Sequence, residues 1–185
     1  IAMCNMVNNK ASGENGPADY GWVKGNVTSI EQKLREVIDV LKMRPDYTEA
    51  YLCLGWLHSK NGDIEKAIPA FEKAIELMPD SYNAHLCLGN VYVQKGEIKD
   101  ALGEYNKVWE ILSKIVQDDM SLGLESMKNG DMDQAVSYFN EVLKINPERK
   151  EAYFSLADSY EKKGLYSVGM VLRLQGERIK QGGHD

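Results

Sequence analysis

Apolar side chains recur along this chain at steps of three and four residues, the period of one face of an α-helix rather than the alternation of a strand. Ile64, Ala67, Ile68, Phe71, Ala74 and Ile75 make one such face, and Tyr51, Leu54, Gly55 and His58 make another. Asn61-Gly62-Asp63 interrupts the pattern between them, and Asn129-Gly130-Asp131 does the same further on. Each glycine suits the left-handed residue that ends one helix, and each following acid suits the cap of the next. The pattern predicts an all-α chain built of helical hairpins.

The hairpins keep one period. Gly62, Gly96, Gly130 and Gly164 follow one another at intervals of 34 residues. Ahead of them stand Tyr51-x-x-Leu54-Gly55-x-x-His58, His85-x-x-Leu88-Gly89-x-x-Tyr92, Asp119-x-x-Leu122-Gly123-x-x-Ser126 and Tyr153-x-x-Leu156-Ala157-x-x-Tyr160. Ala67-x-x-x-Phe71, Ala101-x-x-x-Tyr105 and Ala135-x-x-x-Phe139 come after them, and Pro79 and Pro147 close two of the units. With these residues the sequence resembles the tetratricopeptide-repeat family, whose unit carries a W-x2-L-G-x2-Y, A-x3-F and P pattern. The resemblance covers roughly Thr28 to Lys180 and implies a right-handed α-solenoid of stacked helix-turn-helix repeats.

The period divides the chain. Residues 1–27 read as an irregular segment or a degenerate first helix, rich in Asn and Gly, with Tyr20, Gly21 and Trp22 able to pack on the array. A partial unit at 28–47 has Ile30, Leu34, Val37, Ile38 and Leu41 on one face. Full units follow at 48–81, 82–115 and 116–149, then a degenerate unit or cap at 150–181 and a tail at 182–185. Ser113 stands where proline is expected, so the helix that begins near Ile98 continues through Ile111, Ile115 and Val116. The last unit has Gly169, Arg173 and Gly176 in place of Ala, an aromatic and another small residue. Because a solenoid must end in a more polar face to stay soluble, Tyr166 to Lys180 is expected as a capping helix with Arg173, Arg178 and Lys180 in water.

Composition narrows the function. The chain has 185 residues, with 22 Lys+Arg against 28 Asp+Glu, a net charge of −6. That balance argues against nucleic acid as a partner, which calls for a basic stripe. The sequence holds no apolar run long enough for a membrane span or a signal peptide. It begins at Ile1 rather than Met, as a processed product or an excised domain would. Cys4, Cys53 and Cys87 are odd in number and lack metal-ligand spacing, which points to free thiols, no metal site and a reducing compartment such as the cytoplasm.

Hydrolase, nucleotide-binding and zinc-protease motifs are missing from the sequence. His58 and His85 occupy aromatic packing places of the repeat, and His184 lies in the tail. The paired acids Asp118 and Asp119 read as a helix start favoured by the macrodipole. No residue is assigned a catalytic or cofactor-binding role, and a non-enzymatic chain is expected.

The resemblance implies a concave surface lined by the first helices of successive units, commonly used to hold a segment of a partner. Its positions here are Leu52 and Trp56, then Leu86, Asn90 and Val93, then Met120, Leu124 and Met127, then Phe154. Members that grip a carboxy-terminal carboxylate use Lys, Arg and Asn at places matched here by Leu52, Trp56, Cys87, Gln117 and Ser121, which supply no cation. An amphipathic or apolar segment of a protein or peptide fits this stripe better, with methionine tolerating imperfect fit. Glu151, Asp158 and Glu161 at one end favour a basic flank on that segment. The same stripe also suits a second copy of the chain, as in a self-assembling structural subunit of a larger complex or filament, or cover by the chain's own amino-terminal residues.

Overall fold

The computed structural model describes residues 30–179. The expectations for residues 1–27, for Lys180 and for the tail at 182–185 fall outside them. Among the described residues the chain is all-α, in eight helices: α1 (Ile30–Met43), α2 (Thr48–Lys60), α3 (Ile64–Leu77), α4 (Tyr82–Lys95), α5 (Ile98–Asn129), α6 (Met132–Ile145), α7 (Lys150–Lys162) and α8 (Tyr166–Arg178). They form helix-turn-helix repeats. Two compact units are present, the first ending at Trp109 and the second beginning at Glu110, with the division inside α5.

Each tight turn uses its glycine as the spacing demands. Gly62, Gly96, Gly130 and Gly164 have φ of +83°, +85°, +85° and +81°, a region that a Cβ disfavours. The acids after them differ. Asp131 accepts a hydrogen bond from the Gln134 backbone N–H at 3.1 Å and so caps α6. Asp63 starts α3 without a side-chain cap and instead accepts from Asn61 Nδ2 at 2.9 Å.

Inside three of the hairpins a glycine on the first helix faces an aromatic ring on the second. A Cβ built on Gly55 would lie 2.8 Å from the Phe71 ring, one on Gly89 2.6 Å from Tyr105, and one on Gly123 2.5 Å from Phe139. The ring thus fills the notch that the missing side chain leaves, and the helices close on it. The next first helix then covers the far side of the same second helix. In unit 1, Ala67, Phe71 and Ala74 of α3 share a core with Ala84, Leu88 and Val91 of α4. Val37 of α1 similarly packs with Ala50, Cys53 and Leu57 of α2. In unit 2, Ala135 and Phe139 of α6 pack with Leu156 of α7.

α5 is one helix of 32 residues that continues through residues 113–116, as serine in place of proline leads one to expect. Asp118 and Asp119 therefore sit within a helix rather than at its start, and no helix N-terminus stabilises them. Burial pushes the Asp119 carboxyl above its usual range, with the charges of Glu141 and Asp118 adding to the effect. The final helix α8 departs from the expected polar cap, since Val168, Met170, Val171 and Leu174 are exposed along it. Arg173, expected in water, lies against α7: its Nε donates to Glu161 Oε1 at 2.9 Å, and Nη2 donates to Glu161 Oε2 at 2.9 Å and also to Asp158.

The notch makes the sign of a small substitution depend on place. Gly123→Ala drives a methyl group into buried Phe139 and should destabilise by about 1–3 kcal/mol. Gly103→Ala, also in α5 but with nothing within 4 Å of the added carbon, should stabilise by about 0.5–1 kcal/mol. Urea unfolding followed by circular dichroism measures both.

Candidate functional site

In unit 1 the first helices α2 and α4 lie side by side, tied by a hydrogen bond from Ser59 Oγ to Gln94 Oε1 at 3.1 Å. Their shared face carries the residues expected of a groove, but in different roles. Leu52 is buried in the core with Phe71 and Leu88 and forms wall rather than contact surface. Trp56 is half-buried, packs on the cores of two successive repeats, and has Lys60 Nζ at 5.7 Å from its ring centre. Leu86, Asn90 and Val93 are all exposed on α4. Spaced at i, i+4 and i+7, they form a single stripe. Asn90 Oδ1 accepts the Tyr105 hydroxyl at 2.8 Å, which orients its amide and leaves the N–H groups as what it offers a partner.

In unit 2 the corresponding positions divide in the same way. Met120 and Met127 are half-buried and pack on the core around Phe139 and Leu156. Leu124 is exposed, and Phe154 is half-buried beneath Lys150 Nζ at 5.5 Å from its ring centre. The acids expected to attract a basic flank are each paired within the chain. Asp158 and Glu161 are held by Arg173, and Glu151 lies 3.1 Å from Arg149. Hydrogen bonding from the Arg173 guanidinium holds the Glu161 carboxyl below the usual carboxylate range.

The titratable residues singled out from sequence are packed as structure. His85 is buried, with Nδ1 at 2.6 Å from Glu104 Oε2 and Nε2 at 3.0 Å from the Pro79 carbonyl, joining α4 to α5 and to the turn before α4. His58 is partly buried at the end of α2, with Nδ1 at 3.6 Å from Asp63 Oδ2, beyond hydrogen-bonding distance. Cys53 and Cys87 are free thiols. Burial pushes the Cys53 thiol up to about 12 and Cys87 to about 11, so neither is a ready nucleophile near neutral pH. Among the described residues no helix is long and apolar enough to cross a membrane.

The Tyr105–Asn90 and Ser59–Gln94 bonds have no signature in the sequence, because each joins side chains whose proximity the stacking alone decides. The exposed apolar row Ile98, Leu102 and Trp109 on α5 does have one, visible when residues 34 apart are compared.

Residues 58–96 match a family model described as a TPR repeat, and residues 120–168 match one described as Tetratricopeptide repeat. No curated protein matches the sequence. Among solved structures the chain is similar to MamA, at 24% identity over 82% of this chain and 89% of that one, with a TM-score of 0.44. It is also similar to MamA 41-end from Desulfovibrio magneticus RS-1, at 17% identity over 85% and 89%, with a TM-score of 0.44. A third similarity is to YrrB, described as a TPR protein with an unusual peptide-binding site, at 18% identity over 79% and 93%, with a TM-score of 0.38.

Thiol chemistry tests the packing of the two cysteines. Raised pKa values mean less thiolate, so at pH 8 Cys53 and Cys87 should alkylate at least about a hundredfold more slowly in the folded chain than in urea. Peptide mass spectrometry of iodoacetamide time courses reads each site separately.

Proposed function

We propose, from the premise that this chain belongs to the tetratricopeptide-repeat family, that it is a non-catalytic adaptor whose α4 face receives an apolar or amphipathic segment of a partner protein. The coarse part of this reading, a protein-interaction scaffold, follows from the repeats themselves. The finer part rests on one observation: Leu86, Asn90 and Val93 form an exposed stripe on α4, beside the half-buried Trp56 of α2. A helix laid along that stripe would meet two apolar contacts seven residues apart and an amide between them, with the Trp56 ring alongside. In unit 2, Leu124 and Phe154 are the corresponding contacts, above a floor of Met120 and Met127.

The chemistry of the stripe sets the partner's character. Burying Leu86 and Val93 contributes about 1.5–3 kcal/mol each, which together with Trp56 supports micromolar binding once association costs are met.

Selection of helix-forming peptides from a displayed library against the intact chain tests the reading. The selected peptides should carry apolar residues at three- and four-residue spacing. Leu86→Asp and Val93→Asp, both at exposed positions that leave the circular dichroism spectrum unchanged, should each weaken their binding more than tenfold. Peptides that bind both variants as well as the parent would contradict the proposal.

A further inference from the structure

The buried ring of His85 meets an oxygen at each of its nitrogens. Nδ1 lies 2.6 Å from Glu104 Oε2 on α5, and Nε2 lies 3.0 Å from the Pro79 carbonyl in the turn before α4. A neutral imidazole has one N–H and one lone pair, so beside an ionised carboxylate it can satisfy one of these oxygens and turns a lone pair on the other. With Nδ1 bare, the lone pair faces the carboxylate; with Nε2 bare, it faces the carbonyl. Both bonds form together when the pair holds one further proton. Glutamic acid is the stronger acid of the two, so that proton belongs on the ring, as an imidazolium against a carboxylate.

The charges gathered along this side of α4 are acids. Burial, and after it Glu72 of α3 with Glu104, Asp100 and Glu97 at the start of α5, raise the phenol of Tyr92, which stands two turns along α4 from His85. Asp80 follows Pro79 in the turn. α4 itself carries Lys95 at its far end, where Glu65 and Glu97 hold it. α2 meets α4 at the far end too, through Ser59 and Gln94.

We propose that His85 and Glu104 form a proton-dependent latch that regulates the docking face of α4. With the proton bound, the ring ties α4 both to α5 and to the preceding turn. When the proton leaves, one of the two bonds is lost and the first turn of α4 loosens. The latch adjoins the residues that would meet a partner: His85 precedes Leu86, and Glu104 precedes Tyr105, whose hydroxyl orients Asn90. Its effect on binding rests on the reading of α4 as a docking face, whereas the latch itself does not. A histidine in the unfolded chain gives up its proton near pH ~6.5. The stability that the latch adds is therefore full below that pH and is lost as the pH rises past the point where the folded pair releases its proton.

Nitrogen-15 NMR of the full chain with labelled histidine rings tests the latch. At about pH 7.5, where a free imidazole is mostly neutral, His85 should show two protonated ring nitrogens. A bare nitrogen on His85 at that pH overturns the proposal. In Glu104→Gln the side-chain amide can donate to Nδ1 as well as accept from it, so the variant should keep both contacts with a neutral ring. A ring still doubly protonated in Glu104→Gln overturns the part assigned to the carboxylate. Binding of a selected apolar peptide without ionisable side chains tests the regulation. It should weaken about three- to tenfold between about pH 6.5 and about pH 9 in the parent and stay level in Glu104→Gln. Equal weakening in both proteins, or none in the parent, overturns the regulation. A parent that binds no such peptide overturns the docking face with it, while the latch stands or falls on the ring nitrogens.

Discussion

One contact recurs through the chain, and the rest of the architecture depends on it: an aromatic ring seated in the notch left by a glycine on the facing helix. Gly55 and Phe71, Gly89 and Tyr105, and Gly123 and Phe139 form it, each with no room for a further carbon. The notch brings two backbones close, and the ring excludes water from between them. Because both partners sit at fixed places in the unit, each repetition presents the next helix with the same surface, and stacking can proceed. In the last repeat the contact is exchanged for a polar one. Ala157 replaces the glycine and Arg173 the ring, and the guanidinium holds α8 to α7 through Glu161 and Asp158. Gly169 now supplies the close approach, with Glu161 Cγ at 2.6 Å from where its Cβ would be.

The turn that separates successive repeats is missing at Ser113. Ser113 does not interrupt the helix as Pro79 and Pro147 do, so α5 joins the second helix of one repeat to the first of the next. Past the missing turn, places that are buried in the other first helices carry Asp118 and Glu125, which are exposed. Before it, Ile98, Leu102 and Trp109 stay apolar.

Much of this was readable in the sequence, and the part that was not has physical reasons. The glycines at intervals of 34 residues marked the turns because positive φ is a local demand that few residues meet. Phe71 and Phe139 were recognisable as core because a large ring at a fixed helical position has one place to go. Exposure along the first helices was harder to read. Leu52 and Leu86 are equivalent positions, yet Leu52 is buried and Leu86 exposed, since cover depends on how neighbouring repeats seat rather than on the residue itself. Arg173 looked like a solvated cap because a sequence does not show that two carboxylates on α7 wait for it. Asp118 and Asp119 looked like a helix start for a related reason, as the family pattern supplied a boundary that the backbone does not have.

The central claim is that α5 crosses the place of the missing turn without a break. Backbone chemical shifts and amide hydrogen exchange for residues 110–118 test it most directly. A continuous helix predicts unbroken helical Cα shifts and protected amides through Ser113, Lys114 and Ile115. Random-coil shifts with fast exchange at those three residues would mean that the helix ends there as it does before Pro79, and the account of α5 would be contradicted.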